Sequence, residues 1–133
     1  MSEGPFSEFA REIVPDERDA ISAKLSEWCD AGNVDLVITT GGTGLGPRDV
    51  TPEATRDVLD LEAPGLGEAM RVQTLKYTPF AILSRGVAGV RNGCLIVNVP
   101  GSPSGVEQCL EVVGPALPHA LEMVKGHRTH AAP

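Results

Sequence analysis

The sequence predicts an α/β domain organised around a largely parallel sheet. Three observations carry that expectation. Short apolar, β-branched runs alternate with longer segments of helical period. Two glycine- or proline-rich loops, 41–49 and 100–105, each follow directly on a predicted strand. The chain has 133 residues, the size of one domain with a real core. In sheets of this class ligands bind beyond the carboxyl ends of the strands, so both loops are expected to line one edge. The domain is expected over 1–126, with 127–133 as a flexible tail.

The first element is FAREIV, 9–14, which alternates weakly and stops at Pro15, the pattern of a short strand. From Pro15 the period changes. Ala20, Ile21, Leu25, Trp28 and Cys29 fall on one helical face, Pro15 suits a first helical position, and Asp16 and Glu17 favour the positive end of the dipole. Gly32 closes that helix. VDLVITT, 34–40, is the next strand. Thr51 is placed to N-cap a helix with Pro52 at its first position and Glu53 in its first turn, carrying Val58 and Leu59 until Pro64-Gly65 interrupts it. A helix over about 65–76 presents Leu66, Met70 and Leu75. AILS, 81–84, and CLIVNV, 94–99, read as buried strands, and Asn92-Gly93 supplies a hairpin-type turn ahead of the latter. Helices over about 104–113 and 115–125 close the domain.

Composition bounds the function. Net charge is -7 and the pI near 4.8, which argues against a nucleic-acid or anionic-membrane surface. It leaves room for a phosphorylated ligand, because backbone N–H groups hold phosphate locally. The three cysteines, Cys29, Cys94 and Cys109, form no C-x-x-C pair and read as buried thiols of a reducing compartment. No apolar run is long enough to span a bilayer, and the N-terminus carries no secretory pattern, so a cytoplasmic protein is expected. His119, His127 and His130 show no metal spacing.

Chemistry concentrates in LVITTGGTGLGPRDVTPEAT, 36–55, which holds four glycines within 41–46. It is not a dinucleotide fingerprint, because Pro47 stands where the third glycine is required. It is not a Walker A loop, because no lysine lies between Lys24 and Lys76. What remains is a strand, a Gly-Gly-Thr-Gly turn, and Arg48-Asp49 ahead of a capped helix. Bare glycine N–H groups can nest an anion, Thr43 offers a hydroxyl, and Arg48 a planar fork suited to phosphate. Asp49 would repel phosphate unless a cation lay between them, which points to a metal–polyphosphate. The competing account is a tight strand-to-helix connection with Arg48 and Asp49 as a surface pair. The second loop, Asn98-Val99-Pro100-Gly101-Ser102, is by itself a weaker signal, more a plain turn than a site.

Taken together, IVPDE (13–17), TTGGTG (39–44), PRDVTPEAT (47–55), EAPGL (62–66), TPFAILSR (78–85), GVRNGCLIVNVPGSP (89–103) and PALPHAL (115–121) resemble the molybdopterin adenylyltransferase family. The likeness is to the Mog-type molybdopterin-binding domain, including the gephyrin-type eukaryotic G domains. It runs in unbroken order over about 11–126.

The resemblance implies a three-layer α/β/α sandwich and assembly as a homotrimer. It implies ATP-dependent adenylylation of molybdopterin with Mg²⁺, and a molybdenum-insertase domain or protein as partner. Matched residue by residue, it makes Asp16 and Asp49 the functional aspartates, with Asp49 near the Mg²⁺–triphosphate. Gly41, Gly42, Thr43, Gly44 and Arg48 would hold pterin and phosphates, and Ser84, Asn98, Pro100 and Gly101 would complete the cleft. Members of the family begin with a strand, a Ser-Asp turn and a helix, whereas MSEGPFSEFAREIV here leads straight into PDE. The expectation is a sheet short of one strand–helix unit, with an exposed edge and one cleft wall removed. A catalytically weak molybdopterin-binding or oligomerising module is the alternative, and a related domain acting on another nucleotide-containing metabolite is a third reading.

Overall fold

CLIVNV is apolar at every position but one because it is buried on both faces. The computed structural model describes residues 6–130, the side chains of 127–130 excepted. In it this run is strand β4 (Cys94–Val99), inside a four-stranded sheet with β1 (Leu36–Thr40), β2 (Leu61–Glu62) and β3 (Ala88–Arg91). The order is β1-β4-β3-β2. Successive β4 side chains point to opposite faces. Leu95, Val97 and Val99 pack with Met70 of α3 (Pro64–Gln73), Cys109 and Val113 of α4 (Pro103–Val113), and Leu117 and Leu121 of α5 (Leu117–His130). Cys94 and Ile96 pack on the other face with Leu25 and Cys29 of α1 (Arg18–Asp30), together with Val37 and Val58. Helices therefore cover both faces, the three layers expected. Each fully buried aliphatic side chain contributes about 1.5–3 kcal/mol to this core.

The sheet is mixed, which corrects the largely parallel expectation. Only β1 and β4 run parallel, Leu36 facing Leu95 and Thr40 facing Val99. β3 and β4 are antiparallel because Asn92-Gly93 joins them directly, with φ of 49° and 80°. Both positive values belong to the two-residue hairpin turn whose twist matches the strands. β2 is antiparallel to β3. Among the described residues β1 has a strand partner on one side only, an open edge as expected.

Other expectations need adjustment. Residues 9–14 form no strand; Phe9 and Ile13 are exposed, with no neighbouring strand to complete a ladder. α1 starts at Arg18 with Glu17 as its N-cap, and Pro15 lies outside it, its carbonyl accepting from Glu17 N at 2.7 Å. The first helical residue of α2 (Thr51–Arg56) is Thr51 itself, with Val50 at the cap and Pro52 second. Residues 79–83 form a 3-10 turn where AILS was expected to be a strand. Thr78 and Pro79 account for it: the Thr78 hydroxyl accepts from Phe80 N at 3.2 Å, and proline presets the turn's φ. Gly32 does follow α1, with φ 80°. α5 continues to His130; residues 131–133 of the expected tail and the side chains of His127 and His130 lie outside the described residues.

Candidate functional site

The parallel pair β1 and β4 ends both strands at the same edge, so the loops that follow them meet. They meet as bare backbone. A Cβ on Gly101 would stand 3.1 Å from the Gly41 Cα, and Gly41 N donates to Val99 O at 3.0 Å. Gly42 has φ 70°, and a Cβ there would fall 2.3 Å from Thr51 Oγ1. The Gly42 carbonyl accepts from Thr51 N at 3.1 Å, so the glycine turn is tied to the start of α2. At these distances the glycines serve close approach of protein to protein before any ligand is considered.

Beside this junction lies a cavity of about 310 Å³ between the glycine loop, the 100–105 loop, α3, the 79–83 turn and the start of α4. Of the residues expected at the site, Thr43, Gly44, Ser84, Asn98 and Pro100 line it. Gly41, Gly42 and Gly101 form the backbone junction behind. Arg48 is exposed, and no ion pair among the described residues engages it. Asp49 is half-buried, and its Oδ2 accepts from Gly46 N at 2.8 Å, closing the loop on itself. Asp16 is exposed ahead of α1 and does not line the cavity.

Among the described residues, the one charged side chain on the cavity wall is Arg71, which the sequence did not single out. Its Nη1 donates to Gly86 O at 2.8 Å and to Ser84 O at 3.4 Å, and no carboxylate among the described residues pairs with it. A guanidinium held by carbonyls alone is not neutralised by its partners, a favourable setting for an anion. Ser102 caps α4, its Oγ accepting from Gly105 N at 3.1 Å, so the positive end of that helix borders the same space. Cys109 also lines the cavity, and burial pushes its thiol pKa up, which keeps it protonated and a poor nucleophile.

Asn98 borders the cavity, yet its amide is used by the protein. Oδ1 accepts from Val87 N at 3.1 Å, and Nδ2 donates to Thr39 Oγ1 at 2.8 Å and Thr55 Oγ1 at 3.1 Å. Arg85, also missed, is the most connected side chain nearby. It donates to Gly44 O at 2.8 Å, to Asp49 O at 2.6 Å and to both oxygens of Glu53. The hydrogen bonds from Arg85 hold the Glu53 carboxyl below the usual glutamate range. Both arginines sit at ordinary helix or loop positions, and nothing in their spacing signals these contacts. Among the described residues no group of three or more His, Cys, Asp or Glu converges as a metal cage, and no helix is long and apolar enough to cross a membrane.

Over residues 3–119 the chain matches the family described as a probable molybdopterin binding domain. It is similar to the molybdopterin adenylyltransferase of Helicobacter pylori J99, 52% identical over 120 residues that cover 90% of this chain and 68% of that protein. It is also similar to the molybdopterin adenylyltransferase of Escherichia coli K12, 40% identical over 141 residues, 97% of this chain and 72% of that protein. Among solved structures it is similar to the molybdopterin biosynthesis enzyme MoaB from Thermus thermophilus, with TM-score 0.88 and 57% identity over 94% of this chain and 79% of that one.

Proposed function

The chain belongs to the molybdopterin-binding domain family, and from that premise we propose that it is a molybdopterin adenylyltransferase of molybdenum cofactor biosynthesis. The observation that carries the reading is the cavity where the glycine loop and the 100–105 loop meet, with Arg71 as its charged wall residue. In the reaction, a phosphate oxygen of molybdopterin attacks the α-phosphorus of ATP. A new P–O bond forms as the bond between Pα and the bridging oxygen to Pβ breaks, and pyrophosphate leaves with that oxygen.

Each residue has a part in this reading. Arg71 and the α4 N-terminus supply positive potential to the phosphates, in a site whose positions are set before ligand arrives. Thr43 and Ser84, both lining the cavity, carry hydroxyls. Asp49 takes the acidic role: it does not itself line the cavity, but its loop begins at Thr43 and Gly44, which do, whereas no residue of the Asp16 segment does. In this reading Mg²⁺ comes as its complex with ATP, and Asp49 would be the protein carboxylate that meets it. When bound, the ion neutralises charge on the triphosphate.

Self-association into the homotrimer draws support from Val72, Leu75, Tyr77, Phe80, Ile82 and Leu83, all exposed along one stretch of chain. A cytoplasmic setting agrees with Cys29, Cys94 and Cys109 being buried and in no disulfide among the described residues. Hand-on of product to a molybdenum-insertase completes the proposal.

The test uses two pterins, molybdopterin and its dephosphorylated form, each with ATP and Mg²⁺. Adenylylated product from the first alone is expected, because only it carries the attacking phosphate. Tight binding of molybdopterin with no product would convert the protein into a binding or assembly module.

A further inference from the structure

Two stretches of the cavity lining come from chain segments about 40 residues apart, and one side chain joins them. Thr43 and Gly44 come from one segment, Ser84 and Gly86 from the other, and all four line the cavity. Between them Arg85 N donates to Thr43 O at 2.7 Å, and the Arg85 guanidinium reaches back to the same loop. Nε donates to Gly44 O at 2.8 Å and Nη2 to Asp49 O at 2.6 Å. Nη1 and Nη2 complete the set on the Glu53 carboxylate in the first turn of α2. One planar fork therefore holds the beginning and the end of the 44–49 loop together with the helix that follows. From the other side, Arg71 holds the carbonyls of Ser84 and Gly86, so the segment carrying Arg85 is itself pinned.

Arg85 does not line the cavity. All three of its guanidinium nitrogens are engaged by protein acceptors, so it is poorly placed to bind ligand. Apart from the Glu53 carboxylate, however, its side-chain partners are the carbonyls of Gly44, which lines the cavity, and of Asp49. Asp49 is fixed twice: its side chain closes onto Gly46 N at 2.8 Å, and its carbonyl is held by Arg85.

We propose that Arg85 is a positioning residue, whose fork across Gly44, Asp49 and Glu53 sets the place of the Asp49 carboxylate relative to the cavity. The catalytic consequence rests on the adenylyltransferase reading; the structural part does not. Lysine is no substitute, because a single ammonium cannot reproduce the planar set of donors.

The experiment takes the full chain as wild type, Arg85→Lys and Arg85→Ala. Backbone amide exchange without ligand is expected to accelerate about tenfold or more over 43–50 in both variants, with β4 amides unchanged. In adenylylation, kcat is expected to fall about 30- to 100-fold while KM for molybdopterin and for ATP stays within about threefold. Methylguanidinium should restore part of the lost kcat of Arg85→Ala without moving its Tm. Unchanged exchange over 43–50 would overturn the proposal. So would acceleration that spreads to β4, or a kcat loss that follows Tm and resists methylguanidinium, since either makes Arg85 a general fold stabiliser. A wild-type protein that forms no adenylylated pterin would sink the enzymatic reading, and amide exchange would still decide the role of Arg85.

Discussion

At the scale of single residues, Asn98 shows how one side chain serves fold and site together. It is 1% exposed and spends its amide on Val87 N, Thr39 and Thr55, tying β4 to the residue ahead of β3, to β1 and to α2. Asn98→Leu keeps the approximate volume but leaves the Val87 N–H without its acceptor, a loss of about 1–3 kcal/mol with more from the two threonines. Chemical denaturation should show a lower midpoint at unchanged slope, and an unchanged midpoint would mean that solvent or another group replaces the amide. The motif in which Asn98 stands made it legible as a site residue. Its partners were not legible, because Thr39 and Thr55 lie 59 and 43 residues away in the chain. Arg71 and Arg85 escaped for a related reason, since most of their acceptors are distant carbonyls and carbonyls carry no sequence signature.

At the scale of elements, the glycine turn joins fold to site. Its density of glycine was legible, and the expected cause was access for a phosphorylated ligand. The structure supplies a cause that acts first: Gly42 sits at φ 70° against Thr51. Gly42→Ala adds a Cβ against the buried Thr51 on top of about 1–2 kcal/mol for the left-handed backbone. Gly65, near the start of α3, has open space around it, and Gly65→Ala should be neutral or stabilising by about 0.4–1 kcal/mol. Urea unfolding of the two variants side by side checks the contrast; equal effects would show that the Gly42 contact relaxes freely. Period and turn chemistry located α1, α3, β1, β4 and the Asn92-Gly93 hairpin. They failed over 81–84, because so short and largely apolar a run has no period to read and Thr78-Pro79 decides in favour of a helical turn. The parallel expectation failed beside the hairpin, whose two-residue turn already required β3 and β4 to be antiparallel.

At the scale of the molecule, a chain of net charge -7 places a cation on the wall of its cavity and keeps carboxylates off that wall. On a chain of that net charge an anion would have to be recognised locally, and Arg71 with the start of α4 supplies positive potential at the cavity. The family likeness points to molybdopterin, and Arg71 on the cavity wall suits a phosphate. The most direct measurement is pyrophosphate release and adenylylated pterin, followed together in wild type and Asp49→Asn with molybdopterin, ATP and Mg²⁺. The account predicts stoichiometric formation of both products by wild type. It predicts a fall in kcat of about 100-fold or more for Asp49→Asn, whose amide can neither carry charge nor meet the metal as a carboxylate does. Equal turnover by the two proteins would contradict the role given to Asp49, and absence of product from a folded wild type that binds molybdopterin would contradict adenylyl transfer itself.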